Sequence, residues 1–155
     1  MSAEQLVRRH HARMRRFASA LLVDRGAVDD VLQEAYIKAL RSDVRFETEE
    51  HELAWLHTVV YRCCVDELRR ARRRRETPTA ELPETNGHAP DPLRRALADD
   101  AWRGLTDNDR AVLLLVDVAG FDYGGAARLL RVPRGTVASR LSLARDRLRR
   151  RMEDA

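Results

Sequence analysis

The chain predicts an all-α protein of two small helical domains joined by a flexible linker. Three observations lead there. Apolar residues recur at helical spacing on both sides of one proline-rich interruption, and the Val/Ile/Thr alternation that builds strands is nearly absent. Aromatic residues make up only 5% of the 155 residues, few for a sheet core. The interruption, Glu76 to Pro92 (ETPTAELPETNGHAPDP), carries four prolines and an Asn-Gly with no apolar periodicity. It reads as a flexible connector between a domain at 1–75 and a second at 93–155.

In the first half, Leu6, Val7, His10, Met14, Phe17, Ala18, Leu21 and Leu22 mark one amphipathic helix, broken at Asp24-Arg25-Gly26. The His10-His11 pair is expected on its surface. Val28, Val31, Leu32, Ala35, Tyr36, Ala39 and Leu40 mark a second helix at 3-4 spacing. A third runs from about Leu53 to Arg73, with Trp55, Leu56, Val59, Val60, Cys63 and Leu68 inward. Each alone is marginal in water, and together they can enclose a core.

Beyond the connector, Leu93, Leu97 and Trp102 suggest a further helix, and Thr106 is placed to N-cap another with Asp109 three residues on. Val112 to Val118 is apolar on all sides and is expected at the centre of the second core. Phe121 to Arg150 then reads as two helices and a tight turn. Ala126, Ala127, Leu129 and Leu130 give the first an apolar side. Pro133 disfavours helix in Val132 yet fits a first turn, so it should end one helix and open the next. From there Val137, Leu141, Ala144 and Leu148 recur at i, i+4, i+7 and i+11, while Arg134, Thr136, Ser139, Arg140, Ser142, Arg145 and Arg147 occupy the other faces. Those side chains can donate to phosphates and base edges, so the second helix is a candidate for the DNA major groove.

The net charge of +4 hides an asymmetry: Arg69 to Arg75 holds six arginines in seven positions, and Glu47 to Glu52 four glutamates in six. A polyanion partner is the simplest use of the first cluster. No apolar run approaches the ~20 residues of a membrane span, and the basic N-terminus lacks the apolar core of a signal peptide. No membrane insertion and a cytoplasmic location are expected. Cys63 and Cys64 are adjacent, so they offer no long-range disulfide and no CxxC pair; small buried helix residues in a reducing compartment fit them best. Catalytic and metal sites are expected to be none, and cofactors none. His57 and Cys64, at i and i+7, lack an acidic orienting partner, and the scattered histidines show no paired-ligand spacing.

Both halves resemble one family, the group IV or extracytoplasmic-function (ECF) sigma factors of the sigma-70 family, from about Leu6 to Met152 excluding the connector. Asp29-Asp30-Val31-Leu32-Gln33-Glu34 followed by Ala35-Tyr36-Ile37-Lys38-Ala39-Leu40 is similar to the family segment E-D-x-x-Q-E-x-F-x-x-A-W. The resemblance implies that Asp30, Gln33 and Glu34 bind the largest subunit of core RNA polymerase. Ala54-Trp55-Leu56, with Asp66 and then Leu68-Arg69-Arg70, is similar to the helix that engages the minus-ten element, which implies DNA contacts at Arg62, Asp66, Arg69 and Arg70. In the family the loop before this helix, here around Phe46 to Leu53, captures a flipped base.

Val132-Pro133-Arg134-Gly135-Thr136-Val137-Ala138-Ser139-Arg140-Leu141 is close to the G-V-P-x-G-T-V-K-S-R-L of the helix that reads the minus-thirty-five element. The chain departs from the family at Arg62, where Asn is usual, at Gly124-Gly125 for Glu-Glu, and at Ala138 and Leu143, where basic residues are usual. Two glycines inside a helix cost roughly 2 kcal/mol relative to alanine. The resemblance implies a factor that binds core RNA polymerase and directs transcription initiation on promoter DNA, monomeric when free and controlled by an anti-sigma factor. A sigma-like interaction protein that titrates polymerase or an anti-sigma factor without opening promoters is the alternative. A stand-alone helix-turn-helix repressor would need a dimerisation element, and the chain shows none.

Overall fold

The computed structural model describes residues 2–22, 24–76 and 100–154, and the chain divides into two compact units, 1–84 and 85–155. Among the described residues every regular element is helical. The expected connector after Glu76, with Leu93 and Leu97, lies outside the described residues.

In the first unit α1 (Ala3–Leu21) opens on a reciprocal cap. The Ser2 hydroxyl accepts from the Gln5 backbone N–H, and the Gln5 side chain accepts from the Ser2 N–H. The chain does not break at Asp24-Arg25-Gly26 as a unit. Asp24 is itself the N-cap of α2 (Arg25–Arg41), its carboxylate accepting from the Gly26 N–H at 2.9 Å, so Arg25 and Gly26 are already helix. The third helix, α3 (Glu49–Glu76), starts a full turn before the expected Leu53, because Thr48 caps it by accepting from the His51 N–H at 3.2 Å. Glu49, Glu50 and Glu52 lie in its first turn and Arg73, Arg74 and Arg75 in its last, each sign where the helix dipole favours it.

Met14, Phe17, Ala18, Leu21, Val28, Val31, Leu32, Ala35, Leu56, Val60, Cys63 and Cys64 form the core between the three helices. Leu40 is not part of it: 61% exposed, it joins Ile37 and Val44 in an apolar strip at the far end of α2. His10 is the opposite correction. Expected on the surface, it is only 4% exposed, since it sits on the same stripe as Leu6 and Met14 and meets a buried carboxylate there.

In the second unit residues 100–103 are helical and lead to α4 (Asp107–Leu113), N-capped by Thr106, whose hydroxyl accepts from the Asp109 N–H. α4 runs on into a π-helical turn, Leu114–Val118, closed by Ala119 N–H donating to Leu114 O at 2.7 Å. Val112, Leu113, Leu114 and Leu115 are buried, whereas Val118 is 68% exposed; the extra residue in the π turn carries Asp117 and Val118 off the buried face. Gly120 (φ 81°) then turns the chain towards α5 (Tyr123–Leu130), capped by Asp122.

The stop after α5 is made at Arg131, not by proline. Arg131 adopts φ 56°, and Val132 N–H donates to Ala127 O at 3.1 Å, a left-handed helix end of the Schellman kind built on a non-glycine residue. Pro133 is the residue just before α6 (Arg134–Glu153), its carbonyl accepting from the Thr136 and Val137 N–H groups. Val137, Leu141 and Ala144 face the core as the spacing predicts, and Ala126 and Ala127 of α5 are buried. Gly125 is buried too: a Cβ there would meet the Asp122 carboxylate at 3.1 Å and the Phe121 ring at 3.3 Å, whereas one at Gly124 would make ordinary contact at 3.6 Å. A side chain at Gly125 therefore needs its neighbours to give by a few tenths of an ångström, and one at Gly124 does not.

Candidate nucleic-acid and polymerase interfaces

On α2, Asp30 and Gln33 are exposed and Glu34 half-buried, and with Ile37, Lys38 and Arg41 they line an open depression. The Glu34 carboxylate lies 3.1 Å from Lys38 Nζ and 3.9 Å from Arg70 Nη1 of α3. Residues expected to serve polymerase and DNA thus meet at one carboxylate. Lys38 also donates to Cys63 Sγ at 3.7 Å, and its ammonium is held above its ordinary range, chiefly by the hydrogen bond to Glu34. Burial pushes the Cys63 thiol up, and that of Cys64 up to about 12.

Along α3, Arg62 and Arg69 are exposed one heptad apart, with half-buried Asp66 between them and 4.0 Å from Arg69 Nη1. Arg70 lies 3.7 Å and Arg74 2.5 Å from the Glu67 carboxylate, so several arginines of the run are partnered along their own helix. The Phe46 ring meets the Trp55 ring at a tilt of 53°, with 5.2 Å between centroids, tying the loop before α3 to the helix.

Beneath that start of α3 is a polar cluster that periodicity does not reveal. His10 Nε2 and Glu52 Oε1 are hydrogen-bonded at 2.7 Å, both buried. His57 Nδ1 donates to the Leu53 carbonyl at 3.0 Å and meets the edge of Phe17 at 5.0 Å. Burial lowers the His57 pKa to about 4, with Arg13 and His10 adding to the effect. The glutamate-rich stretch therefore has one member, Glu52, that belongs inside. Four carboxylates in six positions look alike in sequence; only the helical register of His10 hinted at an inward partner.

On α6 the residues singled out as donors separate into two sets. Thr136, Ser139 and Leu143, at i, i+3 and i+7, share the face opposite Val137 and Leu141. Ser139 Oγ donates to the Thr136 carbonyl at 3.1 Å. Arg134 and Ser142 are exposed and Arg140 half-buried, whereas Leu143 is 54% exposed. Arg145 and Arg147, in contrast, are engaged by the second unit itself. Arg145 donates from Nε and Nη2 to the two carboxylate oxygens of Asp117 at 3.0 and 2.5 Å, and Arg147 Nη1 bridges both oxygens of buried Asp109 at 2.9 and 3.0 Å. The Asp117 hydrogen bonds hold the Arg145 guanidinium above its ordinary range. Spacing puts these two arginines off the buried stripe and does not show what occupies them.

The sigma-70 region 2 family model matches residues 6–74, and the sigma-70 region 4 model residues 95–148. The ECF RNA polymerase sigma factor SigM of Mycobacterium tuberculosis is 33% identical over 147 residues, covering 95% of this chain and 75% of that protein. SigC of the same species is 32% identical over 136 residues, 83% of this chain and 72% of its own. The chain belongs to the ECF sigma factors.

Among solved structures, the sigma factor RpoE from Bartonella quintana, crystallised with the anti-sigma factor NepR, superposes with a TM-score of 0.69 over 97% of this chain and 96% of its own. At 23% identity that likeness is one of fold. Within this sigma factor, most of α1, all of α2 and nearly all of α3 lie in the region 2 match, and α4, α5 and most of α6 in the region 4 match. Among the described residues no helix is long and apolar enough to cross a membrane, and no three His, Cys, Asp or Glu side chains are grouped to hold a metal ion.

Proposed function

We propose that this sigma factor binds core RNA polymerase through Asp30, Gln33 and Glu34 of α2 and acts in the cytoplasm as a transcription initiation factor, with no covalent chemistry of its own. Arg62, Asp66, Arg69 and Arg70 of α3 serve the minus-ten element. Arg134, Thr136, Ser139, Arg140 and Ser142 of α6 serve the minus-thirty-five element, with Arg145 at its flank. Strand opening is driven by binding energy, the loop around Phe46 receiving a flipped base. The observation that carries this reading is that Thr136 and Ser139 of α6 lie opposite a packed Val137-Leu141-Ala144 stripe while the exposed Arg134 and half-buried Arg140 flank it, in a chain of this family. An anti-sigma factor, like the NepR bound to the Bartonella protein, is the expected regulator.

Run-off transcription with core polymerase on promoters from the source genome tests the proposal. A transcript that is lost on Arg134→Ala/Arg140→Ala supports it; no transcript together with no binding to core polymerase overturns it. The carboxylate-held Arg145 and Arg147, beside Ala138 and Leu143, favour a second reading, a factor that titrates polymerase or an anti-sigma factor. It predicts partner binding with no promoter footprint.

A further inference from the structure

The pair between Asp117 and Arg145 joins residues 28 apart in the chain, from the π turn after α4 to the exposed flank of α6. Its two hydrogen bonds run in parallel from one edge of the guanidinium to one carboxylate. Both partners keep access to water, with 52% of the Arg145 and 35% of the Asp117 side chain exposed. Exposed ion pairs contribute little to stability, so holding the domain together is a weak reason for it.

The geometry matters more for what it occupies. The Nε–Nη2 edge of the Arg145 guanidinium would fit a phosphate as it fits this carboxylate and cannot hold both at once; with its charge answered by Asp117, the remaining N–H groups make a weaker phosphate contact. Arg145 also falls three turns after Arg134 on the same side of α6, so the two are spaced to follow one nucleic-acid backbone. Asp117 leaves from the π turn itself, where the chain passes from buried Leu114 and Leu115 to an exposed carboxylate within hydrogen-bonding reach of α6.

We propose that Asp117 restrains sequence-independent DNA binding, holding the Arg145 guanidinium so that DNA of any sequence loses its two-pronged phosphate contact there. A phosphate contact adds equally to every sequence, so Asp117 sets how tightly the factor holds DNA at large and leaves base discrimination to the other residues of α6. The proposal rests on the reading of α6 as the DNA-binding helix.

The test is fluorescence anisotropy of the full chain with a random-sequence duplex across a salt series. Asp117→Asn keeps the shape, removes the carboxylate charge and reduces two charge-assisted hydrogen bonds to at most one neutral one, which a phosphate can displace. It is expected to steepen the slope of log K against log salt by about 0.9 and to tighten binding about five- to tenfold at 0.1 M salt, the value of one added phosphate contact. The same change in an Arg145→Ala background is expected to give no gain. Unchanged binding by Asp117→Asn overturns the proposal. So does a gain that persists without Arg145, which would show that Asp117 acts only as a repelling charge. Thermal melting of each variant confirms that the fold is kept. Arg134→Ala/Arg140→Ala tests the underlying reading separately: if that variant binds the duplex as wild type does, α6 is not the DNA-binding helix.

Discussion

In the first unit the buried polar side chains are His10, Glu52 and His57; in the second they are Asp109 and Arg110. The two sets solve one problem, polar groups shut away from water, with different chemistry. Imidazoles supply neutral hydrogen-bonding groups that pack like aromatics, as His57 does against Phe17, but their charge changes in mild acid. Arg110 is a permanent cation with several donors. Its Nη1 donates to the carbonyls of Trp102, Arg103 and Leu105 at 3.4, 3.2 and 2.8 Å, and its Nη2 is paired with Asp107. One side chain thus closes the end of the 100–103 turn and ties it to α4. The first unit has made its interior sensitive to pH, and the second has made its own depend on a single guanidinium.

The largest expected effect breaks the second arrangement. Arg110→Ala takes a donor from three carbonyls, of which only that of Trp102 is shown to keep another, the Leu105 N–H; it also removes a buried side chain, and should cost about 3 kcal/mol in urea unfolding. A loss below about 1 kcal/mol would show that water can take over the caps. Next comes the first arrangement. His57 has a pKa of about 4 when folded against an ordinary 6.5, so above pH 6.5 neither state takes the proton and its environment exacts no penalty. Between 6.5 and 4 the unfolded chain takes the proton and the folded one does not, and stability is lost as the pH falls, by about 2 kcal/mol from pH 7 to pH 5. Hydrogen exchange should show α1 and α3 losing more protection than α4 to α6 over that range, and His57→Gln should flatten the difference. Equal loss in both halves would remove the contrast.

A finer test compares arginines. Arg147→Ala leaves the buried Asp109 carboxylate without its bidentate partner and should cost about 1–2 kcal/mol. Arg74→Ala, which breaks an exposed pair along one helix, should stay within about 0.5 kcal/mol by the same unfolding measurement. The smallest effect is a gain: Gly124→Ala should raise stability by about 1 kcal/mol. Gly125→Ala should gain less or lose, because the Asp122 cap and the Phe121 ring must give way. Equal gains at both positions would mean that the close approach at Gly125 carries no cost.

These contrasts mark what the sequence discloses. Patterns with a period were legible: the α6 stripe of Val137, Leu141 and Ala144, the α2 stripe, the Thr106 cap and the helix-turn-helix itself all follow from spacing within a few turns. Interactions that join distant segments were not. Nothing in Glu47 to Glu52 distinguishes Glu52 until α1 brings His10 to it, and nothing in the arginines of α6 separates Arg145 and Arg147 from Arg134 until α4 supplies Asp117 and Asp109. The turn after α5 was misassigned for a different reason. Proline is a conspicuous breaker, whereas an arginine with φ 56° carries no mark in the sequence.

Cys63 and Cys64 lie in the first unit, wholly enclosed, with both thiols pushed towards the unreactive protonated form. The sequence has no other cysteine. The chain therefore carries its own clock for half of itself: an alkylating reagent can reach sulfur only when α3 lifts away from its neighbours, so the labelling rate times the opening of the first unit while the second unit stays chemically silent.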